Sequence, residues 1–384
     1  MARMTTAHEH LPILRCPITR SSLRELNPDE LATLNERVRN GLARTVTGAR
    51  VDREIDDVVV SESGEIAYPV EDGVYVLLAD LAIEMASDAS GVIRPLILDD
   101  AKESVRRFYE RVGWRRSDSG FMDATLFEDL RPVSEEYRHN CNLRVTKYLP
   151  DSGHYILDAA SGPIQYQDYL DFSAGYDVRV CVDFSMTALR EVKDKLGDRA
   201  LCLLADVTKL PLKDGSMDAA VSLHTIYHVP QSEQATAFLE LYRVVAPCGT
   251  AVVVYTWSRS LAVRLVQAPM SLRNRWRNGV RAIRRPSRPT TEIEVEPVFK
   301  DLYFRPQSRQ WFVNQQWPFA YKIFTWRSVS VGALQFYFSS TTRGNRRLAR
   351  LERLEDQFPE LCGRWGLYPL IVISGARKAG THSS

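Results

Sequence analysis

The run Tyr155-Ile-Leu-Asp158-Ala-Ala160-Ser-Gly162-Pro-Ile164 constrains this chain more than any other stretch. Apolar residues leading to a carboxylate read as a buried strand, and the small residues after it as a tight turn opening onto a helix. In an α/β sheet that combination lets backbone amides approach a nucleotide-like ligand at the strand's carboxyl end. The G-x-G-x-x-G spacing of a dinucleotide site is absent, and a strand–turn–helix of small residues also occurs as plain packing. The residues downstream favour the ligand. Asp177-Val-Arg-Val-Cys-Val182 is a second apolar strand ending at Asp183, 25 residues after Asp158. A carboxylate placed there can accept from both hydroxyls of a ribose.

The alternation continues. Ser185 to Leu196 has helical periodicity, with Ser185 as N-cap. Ala200 to Leu204 is a third strand closed by Asp206, and Met217 to Leu223 a fourth, followed by His224 and His228 one turn apart. Glu233 to Val245 reads as a helix stopped by Pro247-Cys-Gly249, and Thr250 to Tyr255 as a fifth strand. Strands and helices alternating at this spacing imply βαβ units. The expected fold is α/β: a doubly wound, mostly parallel sheet of about seven strands over residues 100–255 and 320–376. Tyr368-Pro-Leu-Ile-Val-Ile373 supplies its last, antiparallel strand.

Residues from about Val105 to Val254 resemble class I S-adenosylmethionine-dependent methyltransferases of the broad small-molecule type. The resemblance rests on Leu157-Asp158-Ala-Ala-Ser-Gly162, Val182-Asp183-Phe-Ser185, Ala205-Asp206-Val207, Leu210 to Asp218, Leu223-His224 to His228, and Glu240 to Gly249, in that order and spacing. It implies S-adenosylmethionine as cofactor. Asp158, Ala160 and Gly162 would lie near its amino-acid end, Asp183 on the ribose, Asp206 and Val207 beside the adenine, and Phe184 and Leu223 against the ring. A tyrosine on the preceding helix would cover the methionine end, with Tyr109 first and Tyr137 second. The first loop departs from the family's D/E-x-G-x-G-x-G. Its glycine positions hold Ala160, Gly162 and Ile164, and Pro163 fixes φ and lacks an N–H, so an altered loop geometry is expected.

Residues 1–85 read as a separate, mainly β unit, and 86–384 as the methyltransferase domain with an insertion at about 258–318. Gly64 to Leu78 reads as two strands around an Asp72-Gly73 turn, and residues 28–41 as a helix. The unit resembles the small zinc-ribbon-like domain of methyltransferase activators. That family holds zinc through four cysteines; only Cys16 remains here, so no metal is expected. The six cysteines are scattered without a C-x-x-C, no apolar run reaches membrane-spanning length, and no signal-peptide pattern opens the sequence. A cytoplasmic setting follows. A net charge of +2 argues against a global attraction to nucleic acid.

Within the insertion, seven arginines lie between Arg273 and Arg288, with Leu272, Trp276, Val280 and Ile283 on another helical face. They read as a solvated face or as a peripheral contact with membrane or phosphate groups. Tyr303-Phe304, Trp311-Phe312 and Trp317-Pro-Phe319 could line an acceptor pocket or pack the insertion.

Methyl transfer needs orientation and, for a hydroxyl acceptor, a base. His228 is the candidate base and His224 a contact to the acceptor or cofactor loop, since histidine titrates near neutrality. The expected activity is O-methylation of a small molecule, a secondary or glycosylated metabolite. The alternatives are an RNA methyltransferase and a catalytically silent scaffold of the same fold.

Overall fold

The structure is a computed structural model that describes residues 8–85, 99–118, 120–258, 260, 264, 269 and 302–375. Among these residues the sheet has twelve strands. Five come from the N-terminal part: β1 (Leu23–Glu25), β2 (Val58–Ser61), β3 (Ile66–Glu71), β4 (Val74–Val76) and β5 (Ile83–Glu84). Seven follow: β6 (Gly153–Ala159), β7 (Tyr176–Asp183), β8 (Ala200–Leu204), β9 (Met217–Leu223), β10 (Val245–Val254), β11 (Tyr321–Arg327) and β12 (Tyr368–Ser374). The order is β1-β2-β3-β4-β8-β7-β6-β9-β10-β12-β11, with β5 on β3.

The fold is α/β and Rossmann-like, as expected, but the seven expected strands are only part of a larger mixed sheet. From β4 to β10 every neighbour pair is parallel. β12 runs antiparallel to β10, and β11 antiparallel to β12. The extension arises at β4, whose Val74–Val76 pair in parallel with Cys202–Leu204. A strand that would otherwise leave the N–H and C=O groups of β8 unpaired satisfies them. The hairpin between β3 and β4 turns at Asp72 and Gly73, both with positive φ (53° and 75°), the backbone that a two-residue hairpin needs.

Both faces of the central strands are buried. Leu157, Ala159, Val180 and Val182 join one apolar cluster, and Ile156, Cys181 and Val221 the other. Such strands read as continuous apolar runs because helices cover both sides. The helices are α1 (Pro28–Arg39), α2 (Asp100–Phe108), α3 (Met122–Phe127), α4 (Pro132–Leu143), α5 (Met186–Leu196), α6 (Gln234–Val244), α7 (Arg309–Asn314), α8 (Val331–Tyr337), α9 (Thr342–Gln357) and α10 (Pro359–Trp365). Leu189 and Val192 of α5 pack on one face, and Phe238 and Leu241 of α6 on the other. Asn27 caps α1 in a capping box with Glu30, and Ser185 caps α5 by accepting from Ala188 N–H at 3.2 Å.

The region resembling a zinc-ribbon domain holds Cys16 as a packing group: it is buried, 3.1 Å from the Tyr68 hydroxyl. Trp311, Phe312, Trp317 and Phe319 pack against Phe238 and Tyr242 as core. Arg273–Arg288 lie outside the described residues.

The C-terminal elements are held by one buried carboxylate. Glu355 of α9 is fully buried and accepts from Arg144 Nη1 (2.8 Å), the Tyr137 hydroxyl (2.9 Å) and Ser328 N–H (2.8 Å). Tyr137 is thereby committed to the core. Removing one partner of such a cluster leaves a buried charge without compensation. Glu355→Ala is therefore expected to lower unfolding free energy by about 3–5 kcal/mol, measured by urea denaturation.

Candidate active site

The carboxyl ends of β6, β7, β8 and β9 open into one cavity of about 500 Å³, a size suited to small molecules. It lies at the switch point of the sheet, where the chain steps outward from β6 through β7 and β8 and then returns to β9 on the other side.

The loop after β6 carries the departure noted from sequence. Ala160, Gly162 and Ile164 all have positive φ (61°, 53° and 52°). Alternate residues adopt the left-handed backbone that glycine favours, although two are not glycine. For Ala160 and Ile164 that conformation costs about 1–2 kcal/mol each. Ile164 offsets part of this by being buried at 3% exposure among Tyr169, Phe172 and Leu189. Gly162 is the position that cannot change: a Cβ there would lie 2.7 Å from the Trp114 ring.

Asp183 ties the loop to the next helix. Its Oδ2 accepts from Gly162 N–H and its Oδ1 from Ser185 N–H, both at 2.9 Å. Burial pushes its pKa up to about 6, although those amides favour the charged form. No side-chain cation pairs with it among the described residues, so lone pairs remain for two hydroxyls. Asp158 lines the cavity too, but Arg179 binds it at 2.5 Å and 3.1 Å. Asp206 accepts from Thr208 N–H (2.7 Å) and from Lys102 Nζ (2.7 Å), which also meets Glu233 at 2.5 Å. Burial opposes the Lys102 charge, but Asp206 and Glu233 outweigh it and raise its pKa.

Tyr109 stands at the start of a π-helical turn, Tyr109–Gly113, that follows α2. Such turns commonly mark functional positions. Glu110 fastens the turn by accepting from the hydroxyls of Ser185 (2.5 Å) and Thr187 (2.8 Å). Tyr109 stacks on Trp114, ring centroids 5.0 Å apart, and both line the cavity. Phe184, Val207 and Leu223 line it as well.

The two histidines share the cavity without the helical spacing that sequence suggests. His224 has a positive φ of 58° and precedes a 3₁₀ turn, Ile226–His228. Its Nε2 is buried without a partner, and burial drives its pKa down to about 3. His228 Nδ1 lies 2.8 Å from the Tyr303 carbonyl, which only accepts, so Nδ1 carries the hydrogen. Burial holds its pKa down to about 4, outweighing that bond. Both rings are neutral at physiological pH. Phe127 and Phe304 line the cavity while 42% and 48% exposed, which makes its rim apolar.

Sequence reasoning missed Lys102, Trp114, Asp123, Gln165 and Arg327, all cavity-lining. Gln165 follows directly on the loop after β6, whereas Lys102, Trp114 and Asp123 come from elements well before β6 and Arg327 from the end of β11.

With this geometry in place, residues 157–253, about a quarter of the chain, match the protein-family model described as a methyltransferase domain. Over that stretch the chain is similar to methyltransferase domains. No curated protein sequence matches the chain. Solved structures that share features of the fold include phosphoethanolamine N-methyltransferase 2 of Haemonchus contortus, at 11% identity and TM-score 0.40, covering 74% of this chain and 61% of that one. A second structure of that enzyme, at 12% identity and TM-score 0.37, is covered over 53% of its length and covers 62% of this chain. The chain thus spans little more than half the length of these two relatives. Geranyl diphosphate C-methyltransferase of Streptomyces coelicolor A3(2) has 12% identity and TM-score 0.42, with 72% of this chain and 99% of that chain covered.

The loop strain yields a paired test. Ala160→Gly should raise stability by about 1 kcal/mol, because glycine relieves the positive-φ cost at that position. Gly162→Ala should lower the melting temperature and weaken S-adenosylhomocysteine binding by displacing Trp114. Thermal unfolding and calorimetry on the two variants check both.

Proposed function

We propose that the protein transfers the methyl group of S-adenosylmethionine to a small-molecule acceptor held in the cavity. The observation that carries this is the left-handed backbone at Ala160, Gly162 and Ile164, locked to Asp183 through the Gly162 amide. Two of those three residues are not glycine, so the loop carries backbone strain of the kind that clusters at ligand-binding sites.

The cofactor fits the residues present. Asp183 would receive the ribose hydroxyls. Phe184 and Leu223 would flank the adenine, with Asp206 and Val207 beside it and Lys102 holding Asp206 in place. Asp158, neutralised by Arg179, would shape the loop near the amino-acid end together with Ala160 and Gly162, under Tyr109 and Trp114. When bound, the sulfonium supplies the electrophilic methyl and its own leaving group. The protein's part is to orient the acceptor, exclude water and take any proton the acceptor must lose.

The acceptor would face His224, His228, Tyr227, Phe304 and Tyr368, which line the cavity. The proposed substrate is a hydroxyl-bearing metabolite of moderate size, O-methylated in a cytoplasmic setting. An apolar rim, a cavity of small-molecule size and near-neutral net charge support a small molecule over RNA. His224 and His228, held neutral, would position the acceptor by hydrogen bonds and add no further positive charge beside the sulfonium.

Two measurements test this reading. Labelled methyl from S-adenosylmethionine, given to cell extract separated into RNA, protein and small molecules, should appear in the small-molecule fraction. Label confined to RNA, with transfer falling steeply with salt, would replace this reading with the RNA one. By calorimetry, Asp183→Ala should weaken S-adenosylmethionine binding by at least about tenfold, the loss of one charge-assisted hydrogen bond. No binding by the unaltered protein would leave a silent scaffold. His228→Ala should lower turnover by less than about tenfold if it positions the acceptor, and by about 10²–10⁴-fold if it is the base.

A further inference from the structure

We propose that Asp123 is the catalytic base of this site, its carboxylate taking the proton from the acceptor hydroxyl. The inference rests on the methyl-transfer reading above and assigns to a residue outside every sequence motif the task that spacing gives to histidine. Asp123 sits in the first turn of α3 and lines the cavity with Tyr109, Tyr227, His224 and His228.

Its surroundings set it apart from every other acid there. Asp158 is paired with Arg179, Asp206 with Lys102, and Glu128 with Arg327 at 2.8 Å. Asp183 is occupied by two backbone amides. Asp123 has a single weak partner, the Gln165 side-chain amide at 3.3 Å, and no cation pairs with it among the described residues. The Gln165 Oε1 on that same amide is buried without a partner. A polar group unpaired in such a place calls for a ligand that supplies the missing hydrogen.

The titratable groups around the carboxyl are Glu128 from the end of its own segment, Tyr109 from the π-helical turn, Tyr166 and Tyr169 beyond the loop, and Tyr227 after β9. These are acids or neutral phenols; His224 and His228, which line the same cavity, are held neutral by burial, and Arg327, which lines it too, is paired with Glu128. Burial first, with Glu128 adding and Gln165 opposing, raises the Asp123 pKa to about 7. A base is most effective when its pKa lies near the working pH. Tyr109 and Tyr227 are pushed well above their usual range by burial and stay protonated. The histidines, with pKa values down to about 3 and 4, are much weaker bases. The proton passes from the acceptor oxygen to an Asp123 oxygen, the O–H electron pair stays on the acceptor as its nucleophile, and the proton leaves to solvent after product release.

The sign of the pH effect follows. The charged, active form accumulates as pH rises through about 7. Because the folded pKa lies above the unfolded one, Asp123 favours the fold at low pH, and that contribution is lost as pH rises to about 7.

The test follows labelled-methyl transfer from S-adenosylmethionine into the small-molecule fraction of cell extract, between about pH 5 and pH 9. The unaltered protein should gain rate about tenfold per pH unit below about pH 7 and level off above it. Asp123→Asn should lose about 10²–10⁴-fold at the plateau, and Asp123→Glu should keep a rising limb at reduced rate. Two readouts do not depend on turnover. S-adenosylhomocysteine affinity should be the same in Asp123→Asn, and that variant should melt higher than the parent at about pH 8, with the difference vanishing in acid. A plateau rate within about tenfold of the parent overturns the proposal, as does a loss of cofactor affinity, which would assign Asp123 to the cofactor's ammonium. Should the parent transfer no label to small molecules, the methyl-transfer reading falls first and this one with it. An active parent with an equally active Asn variant removes Asp123 alone.

Discussion

The two hydrogen bonds accepted by Asp183 are the constraint on which the site depends. One comes from the middle of the loop after β6, the other from the residue that caps α5. A single carboxylate thereby fixes the loop against the end of β7 and aims the helix start at the cavity. The positive-φ residues on either side of Gly162 have little freedom while that bond holds. Ile164 stays in an unfavourable conformation with its side chain buried. Backbone strain of this kind persists where surrounding contacts over-determine it.

The cavity's electrostatics are arranged by pairing. Three of its five carboxylates face a cation, one faces backbone amides, and Asp123 faces phenols. The buried histidines are kept neutral by desolvation. A cationic cofactor entering this space meets carboxylates and aromatic rings, with Arg327 already engaged by Glu128. The carboxylates without a cation partner among the described residues are Asp183 and Asp123, and electrostatic effects are largest where water is excluded.

The N-terminal strands reach the site indirectly. β4 extends the sheet beside β8, and Asp80, just after it, binds Arg106 of α2 at 3.0 Å. Lys102, on the same helix, braces Asp206 and Glu233. The N-terminal part is thus coupled through α2 to the Asp206 side of the cavity, a route that needs neither a metal nor the cysteines of a zinc ribbon.

Much of this was legible in the sequence. Apolar runs ending in Asp158, Asp183 and Asp206 mark parallel strand ends, because burial on both faces demands continuous hydrophobicity and a ligand edge demands polar termini. Ser185 as a cap, the Asp72-Gly73 turn and the α1 helix are local chemistry, and local chemistry is written in short stretches of sequence. The loop conformation was not legible: glycine is the usual sign of positive φ, and Ala160 and Ile164 hide it. Nor could spacing tell that Arg179 would claim Asp158, or that burial would hold His224 and His228 neutral. Asp123, Trp114 and Lys102 reach the cavity from elements far from the strand ends in sequence, and no periodicity records that proximity. Residue order determined the sheet and its ligand edge; tertiary packing decided which polar groups remain unpaired there, because desolvation and partnering depend on what the fold brings alongside.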